Sequence, residues 1–166
     1  MADITTEVLI IGTGPAGSTS GALLSTYGIE NIVINRYHWL ANTPRAHITN
    51  QRTMEGLRDL GHEVEDEVYL NATEQELMGE NVFCESLAGE EIGRMKSWGT
   101  HPLSKAEHLL SSPSFMNDLP QTFMEPILFK TACKRGTRAR MSTEYKSHVQ
   151  DADGVTTICL DRMTGQ

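Results

Sequence analysis

The sequence predicts an α/β fold that opens with a parallel βαβ unit. Three observations predict it: the apolar run Val8–Ile11, the glycine motif Gly12-Thr13-Gly14-Pro15-Ala16-Gly17 directly behind it, and a second apolar run, Asn31–Ile34. Short unbroken apolar runs suit strands buried on both faces, as in a parallel sheet. The stretch between them is long enough for the crossover helix that parallel strands require, and such crossovers are right-handed.

The helix of that unit is expected over residues 15–27, with Pro15 in its first turn and Gly28 as its stop, so that the βαβ unit covers residues 7–36. A polar stretch, "TPRAHITNQRT", follows at residues 43–53 and gathers Arg45, His47, Asn50, Gln51 and Arg52. Met54, Leu57 and Leu60 at helical spacing before Gly61 predict a second helix over 49–60. Acidic residues dominate 63–80, which reads as a short exposed helix and a turn at Gly79. Residues 82–87 and 91–98 read as two strands of a hairpin around Ala-Gly-Glu-Glu. Residues 99–118 show weak periodicity and are expected to be irregular. A firmer helix follows in "PQTFMEPILFKTACKRG", with Phe123, Ile127 and Ala132 on one face, Pro126 in its early turns, and basic residues before Gly136. Residues 138–150 then read as extended, Asp151-Ala152-Asp153-Gly154 as a hairpin turn, 155–160 as a strand, and Met163-Thr164-Gly165-Gln166 as the start of another turn. With no further strand after that turn, the chain is expected to be the N-terminal portion of something longer.

At 166 residues the chain suits one domain with a core. Its 22 acidic against 14 basic residues, a net charge of -8, argue against a nucleic-acid or anionic-membrane surface. Cys84, Cys133 and Cys159 fit neither a disulfide framework nor a paired zinc motif and are expected as reduced, buried thiols; no metal site is expected, including at His101 and His108. Residues 1–7 lack a basic leader region and no stretch is long and apolar enough for a membrane span, so a cytoplasmic protein is expected.

The spacing of the glycine motif has a mechanism. Gly12 permits a tight turn, Gly14 lets the backbone approach a diphosphate, and Gly17 allows close packing of helix on strand, while the anion rests on the free amides of the helix N-terminus. Thr13, Pro15 and Ala16 supply the intervening backbone. FAD and NAD share this fingerprint. The acid that commonly binds the adenosine ribose at the end of the second strand is here Asn35, whose amide can still bond a hydroxyl, and the neighbouring Arg36 could contact a phosphate.

The segments "VLIIGTGPAG", "PRAHITNQRTMEGLRDLG", "LAGEEIGR", "DLPQTFMEPIL" and "DADGV", taken in order, resemble the N-terminal part of the single-component FAD-dependent phenol hydroxylases over essentially the whole chain. That resemblance implies a glutathione-reductase-like, Rossmann-type FAD-binding domain with a β-hairpin insertion, interleaved with a substrate domain whose strands begin at about 79–98 and 137–166. It implies a reaction in which NADPH reduces FAD, O2 then forms a flavin C4a-hydroperoxide, and one oxygen passes to the ring carbon ortho to a phenolic hydroxyl, as in conversion of a chlorophenol to a chlorocatechol. A homo-oligomer is expected at full length. On the same basis Arg45 matches an arginine along the FAD phosphates, and Gln121 a glutamine at the ribityl or phosphate region. His47 stands where several such enzymes carry an aspartate facing the substrate hydroxyl, and imidazole keeps a base there. Arg52 with Glu55 reads instead as a helix-start pair.

"DADG" could be mistaken for the family's Asp-Gly motif, but its setting marks a turn. The true Asp-Gly and Gly-Asp motifs would lie past Gln166. Two alternatives stay open at this point: an NAD-dependent Rossmann dehydrogenase, which should continue in regular βα units where this chain has a hairpin, and a partial nucleotide-binding module without turnover.

Overall fold

The computed structural model describes residues 4–43 and 45–166. In chain order the elements are β1 (Val8–Ile11), α1 (Pro15–Thr26), β2 (Asn31–Ile34), β3 (Ile48–Thr49), α2 (Gln51–Asp59), α3 (His62–Asn71) and a 3-10 turn (Gln75–Leu77). There follow β4 (Glu80–Cys84), β5 (Glu91–Lys96), α4 (Pro102–Ser111), β6 (Asn117–Asp118), α5 (Gln121–Arg135), β7 (Arg138–Arg140), β8 (Thr143–Gln150) and β9 (Val155–Asp161). They divide into two compact units, one formed by Met1–Arg45 with Gln121–Gln166, the other by Ala46–Pro120.

The first unit holds the expected βαβ arrangement. Strands β1, β2 and β7 form a parallel sheet in that order, with Ile10 opposite Val33 and Val33 opposite Ala139. All four residues of central β2 are buried, whereas β1 is an edge strand and its Ile11 is exposed. Within this chain β1 has one neighbouring strand, β2, and is half-buried. Helix α1 packs on β2 and against α5, burying Ala22, Val33, Leu128 and Ala132 in one core. On α5 the buried face is Met124, Ile127, Leu128, Thr131 and Ala132. Phe123, expected on that face, is exposed, because the stripe runs from position 124 at steps of three and four. Pro126 lies within the helix, in its first two turns. Strands β8 and β9 form an antiparallel hairpin. Its turn is set by the Asp151 carboxylate accepting from the amides of Asp153 (2.9 Å) and Gly154 (3.1 Å), with Gly154 at φ 143.

The second unit packs α2 on α3 around Met54, Leu57, Leu60, Val64 and Val68. The Asn50 side chain caps α2 by accepting from the Thr53 amide at 2.9 Å, and Gly61 stops it at φ 131. The acidic helix expected to be exposed therefore has a buried face, which includes Glu65, held by the Ser114 hydroxyl. The hairpin β4–β5 forms with Glu80 opposite Lys96. Residues 99–118, expected to be irregular, contain α4 and β6. Helix α4 starts at Pro102 with the His101 ring accepting from the Leu103 amide at 3.2 Å, and none of its residues is buried. Leu103, Ala106 and Leu110 do stand at helical spacing, a short apolar stripe among Ser, His and Pro that the sequence reading passed over. Arg52 and Glu55 form the expected pair at 2.8 Å, and this contact with that from Ser112 holds the Glu55 carboxyl below the usual range. The three cysteines are free, but Cys133 is exposed and the others half-buried, not core residues as expected.

Candidate functional site

In the first unit the site is built on the turn between β1 and α1. Gly12, at φ 106, donates its amide to the Ile34 carbonyl at 2.8 Å, which ties the turn to the end of β2. Thr13 is buried beneath the turn, and its carbonyl accepts from the Ser18 hydroxyl at 2.8 Å. Helix α1 begins after Gly14 with no side-chain cap and no acidic residue in its first turn. The leading amides of such a helix have no intrahelical acceptor and carry the positive end of its dipole. A side chain added at Gly12 would meet nothing within 4 Å, and one at Gly14 only the Glu125 Oε1 at 3.8 Å, so the space before the turn is open. At Gly17 a Cβ would lie 1.9 Å from the Gly12 carbonyl oxygen. Pro15 and Ala16 complete the helix start. Open space faced by backbone donors, with the helix seated directly on the turn, fits a dinucleotide diphosphate.

Asn35 stands at the end of β2 with its amide engaged locally: Nδ2 donates to Thr13 Oγ1 (2.6 Å) and Oδ1 accepts from the Tyr37 amide (3.2 Å). It thereby couples the strand end to the glycine turn. Asn35→Ala should lower the unfolding free energy by about 1 kcal/mol, as for a lost hydrogen bond. Thermal unfolding of the ligand-free protein checks this, and unchanged stability with weakened dinucleotide binding would instead mark the amide as a direct ligand. Arg36 is exposed; it donates to the Tyr37 hydroxyl at 2.7 Å and lies 4.8 Å over that ring. Arg45 is also exposed. Gln121 opens α5 and donates through Nε2 to Glu125 Oε1 at 2.5 Å, while Glu125 Oε2 accepts from the Ala41 amide at 2.7 Å. The structure thus gathers the glycine turn, Thr13, Asn35 and Gln121 in one region of the first unit.

His47 belongs to the second unit, directly before β3. The antiparallel pairing of β3 with β6 sets Ile48 opposite Asp118, and the Leu119 amide donates to the His47 carbonyl at 2.7 Å. This register brings His47 Nδ1 to 2.7 Å from Asp118 Oδ1, with the imidazole about half exposed and the carboxylate less so. A carboxylate accepts only, so Nδ1 carries the proton and Nε2 of the neutral ring keeps its lone pair.

Two residues of these arrangements had no role in the sequence reading. Glu125 is 4% exposed, and its signal was an acid four residues past Gln121 at an apolar position of the helix. Asp118 lies beside the Leu119-Pro120-Gln121 segment, yet only strand pairing reveals its contact with a histidine seventy-one positions away.

Comparison with known proteins accords with this geometry. The family described as FAD binding domain matches residues 5–166. Phenol 2-monooxygenase of Pseudomonas sp. (strain EST1001) is 58% identical over 98% of this chain, which covers 26% of that protein. The 2,4-dichlorophenol 6-monooxygenase of Cupriavidus pinatubonensis is 55% identical over 98% of the chain and is covered to 27%. Among solved structures, the flavin-dependent monooxygenase PieE in complex with FAD and substrate superposes with a TM-score of 0.92 at 41% identity, over 100% of this chain and 28% of that one. The chain therefore spans about a quarter of the length of its curated relatives. An NAD-dependent dehydrogenase is set aside by the match along nearly all of the chain. By its glycine turn, its open helix N-terminus and that match, the chain belongs to the FAD binding domain family.

Proposed function

We propose that the protein carrying this chain hydroxylates phenols at the carbon ortho to the hydroxyl, with chlorophenol to chlorocatechol as the representative conversion. The balance is one phenol, one NADPH, one proton and one O2 giving one catechol, one NADP+ and one water. FAD, when bound and reduced by NADPH, supplies the activation of O2. The His47–Asp118 pair is the observation that carries the substrate half of this reading, since ortho attack needs a phenolate-like ring and hence an acceptor for the phenolic proton. His47 Nε2 takes that proton, and Asp118 stabilises the imidazolium that results. In the first unit the turn Gly12 to Gly17 holds the diphosphate through the amides left free at the start of α1, the Gly12 amide being taken by Ile34 and Pro15 having none, with Thr13, Pro15 and Ala16 shaping the turn. Arg45 pairs with a phosphate, Gln121 contacts the ribityl or phosphate region, and Asn35 and Arg36 lie along the adenosine half. The hairpin about 79–98 and the segment 137–166 are read as opening the strands of the substrate domain; β4–β5, a sheet of its own in the second unit, supports this, whereas β7 joins the parallel sheet and β8–β9 belongs to the first unit. The names of the relatives support the choice of phenolic substrate. Cytoplasmic location is the accompanying reading: no helix among the described residues is long and apolar enough to cross a membrane, and all three cysteines are free.

The test is NADPH oxidation by the purified yellow holoprotein with and without 2,4-dichlorophenol. The expected result is stimulation by the phenol with a catechol as product. A flavin-loaded protein that releases only hydrogen peroxide with phenols of every substitution would overturn the hydroxylase reading.

A further inference from the structure

Glu125 is a buried carboxylate beside a turn built to receive an anion, and that position needs a reason. Its two oxygens are used separately: Oε1 takes the Gln121 side-chain amide at 2.5 Å, and Oε2 takes the Ala41 backbone amide at 2.7 Å. The same Oε1 is the group nearest to a Cβ built on Gly14, at 3.8 Å. A carboxylate cannot donate, so it admits only the NH2 end of Gln121 and turns the Gln121 carbonyl away from itself. Buried polar groups are satisfied in native structures, and here both oxygens are, which makes the orientation stable.

We infer that Glu125 is a positioning residue for the flavin site: by accepting from Gln121 and Ala41 it fixes the Gln121 amide with its carbonyl outward, as an acceptor for a hydroxyl of the cofactor, and fastens the segment after β2 to α5. This rests on the reading of Gln121 as an FAD contact. A hydroxyl donor, rather than a phosphate oxygen, is the partner an outward carbonyl selects.

Glu125→Gln isolates the Gln121 arm. The new side chain is of the same shape, and its oxygen can still accept from Ala41; its NH2 group then faces Gln121 and demands the Gln121 carbonyl, reversing that amide. The experiment measures FAD affinity of the holoprotein after removal and return of the cofactor, by flavin fluorescence, for wild type, Glu125→Gln, Gln121→Ala and the double variant. Thermal unfolding of each flavin-free protein is recorded in parallel. The expected result is a loss of about 10-fold for each single variant, the order of one neutral hydrogen bond between the Gln121 carbonyl and a cofactor hydroxyl. The double variant should lose no more than Gln121→Ala alone, because Glu125 acts through Gln121. Affinity within twofold of wild type for Glu125→Gln, or a double variant weakened by the product of the single effects, overturns the inference. If Glu125→Gln does not fold, Glu125→Asp replaces it in the same cycle: the carboxylate is withdrawn by one methylene from Gln121 and Ala41, leaving the Gln121 amide unheld, and the same limits on the single and double variants decide. Should wild type itself bind no FAD, it is the reading of the cofactor site that fails, a result distinct from either of these.

Discussion

Gly17→Ala is expected to abolish flavin retention and to lower the stability of the chain by about 3 kcal/mol, at the upper end of what overpacking costs. The added methyl would lie 1.9 Å from the Gly12 carbonyl oxygen, 3.1 Å from its carbon and 3.3 Å from Ile10 Cγ2. Two of these three atoms are backbone of the turn that receives the diphosphate, so relief requires moving the start of α1 away from β1. At about 1.4 kcal/mol per decade, a comparable penalty on the bound state is about 100-fold in affinity. Gly14→Ala is the informative contrast: Gly14 has φ -63 and a Cβ there meets only Glu125 at 3.8 Å, so the flavin-free fold should tolerate it. Its methyl would stand where the diphosphate approaches and weaken binding without unfolding. Equilibrium denaturation and FAD titration of both variants separate the two effects, and a Gly17→Ala protein with wild-type affinity would mean that the turn does not hold the cofactor.

His47→Ala is expected to lower the rate of hydroxylation by about 10²- to 10⁴-fold, the range general-base groups contribute, while leaving FAD bound. The pH dependence of the remaining rate should follow the ionisation of the phenol instead of that of the enzyme, so that more acidic, more heavily chlorinated phenols suffer least. Asp118→Asn tests the supporting contact. An asparagine can present either a carbonyl or an NH2 group at the 2.7 Å contact, so the ring is no longer held with its proton on Nδ1 and loses the charge that stabilises its protonated form. The expected loss is smaller, about 10-fold, the order of one charge-assisted hydrogen bond. Steady-state rates across pH for a series of chlorophenols check both variants, and unchanged pH profiles in His47→Ala would remove it from the proton path.

What the sequence revealed and what it hid follow from the range of the interactions involved. The βαβ unit was legible because everything that forms it is local: two apolar runs, a glycine turn and a helix between, with spacing that has one physical use. Helix α5 was legible in extent but not in its face, since Phe123 and Met124 are equally apolar and only contact with α1 decides between them. Helix α4 was passed over although it had local marks, namely Pro102 at its start, the His101 cap, and Leu103, Ala106 and Leu110 at helical spacing, because the stripe is short and sits among Ser, Pro and His. In the candidate site, Gln121 and His47 were named through resemblance, but their partners were not. Asp118 reaches His47 through the β3–β6 pairing, and Glu125 reaches Ala41 across 84 positions. Such contacts leave no periodic trace, and a buried acid is read from sequence as a solvated one.

Isotopic labelling distinguishes whether a flavin held by this glycine turn places oxygen on a phenol. Holoprotein given NADPH, 2,4-dichlorophenol and 18O2 should yield a chlorocatechol carrying one labelled oxygen, at the carbon ortho to the original hydroxyl, for each NADPH consumed. A catechol whose new oxygen comes from water, or NADPH consumption with no labelled product, would mean that the flavin does not hydroxylate the phenol.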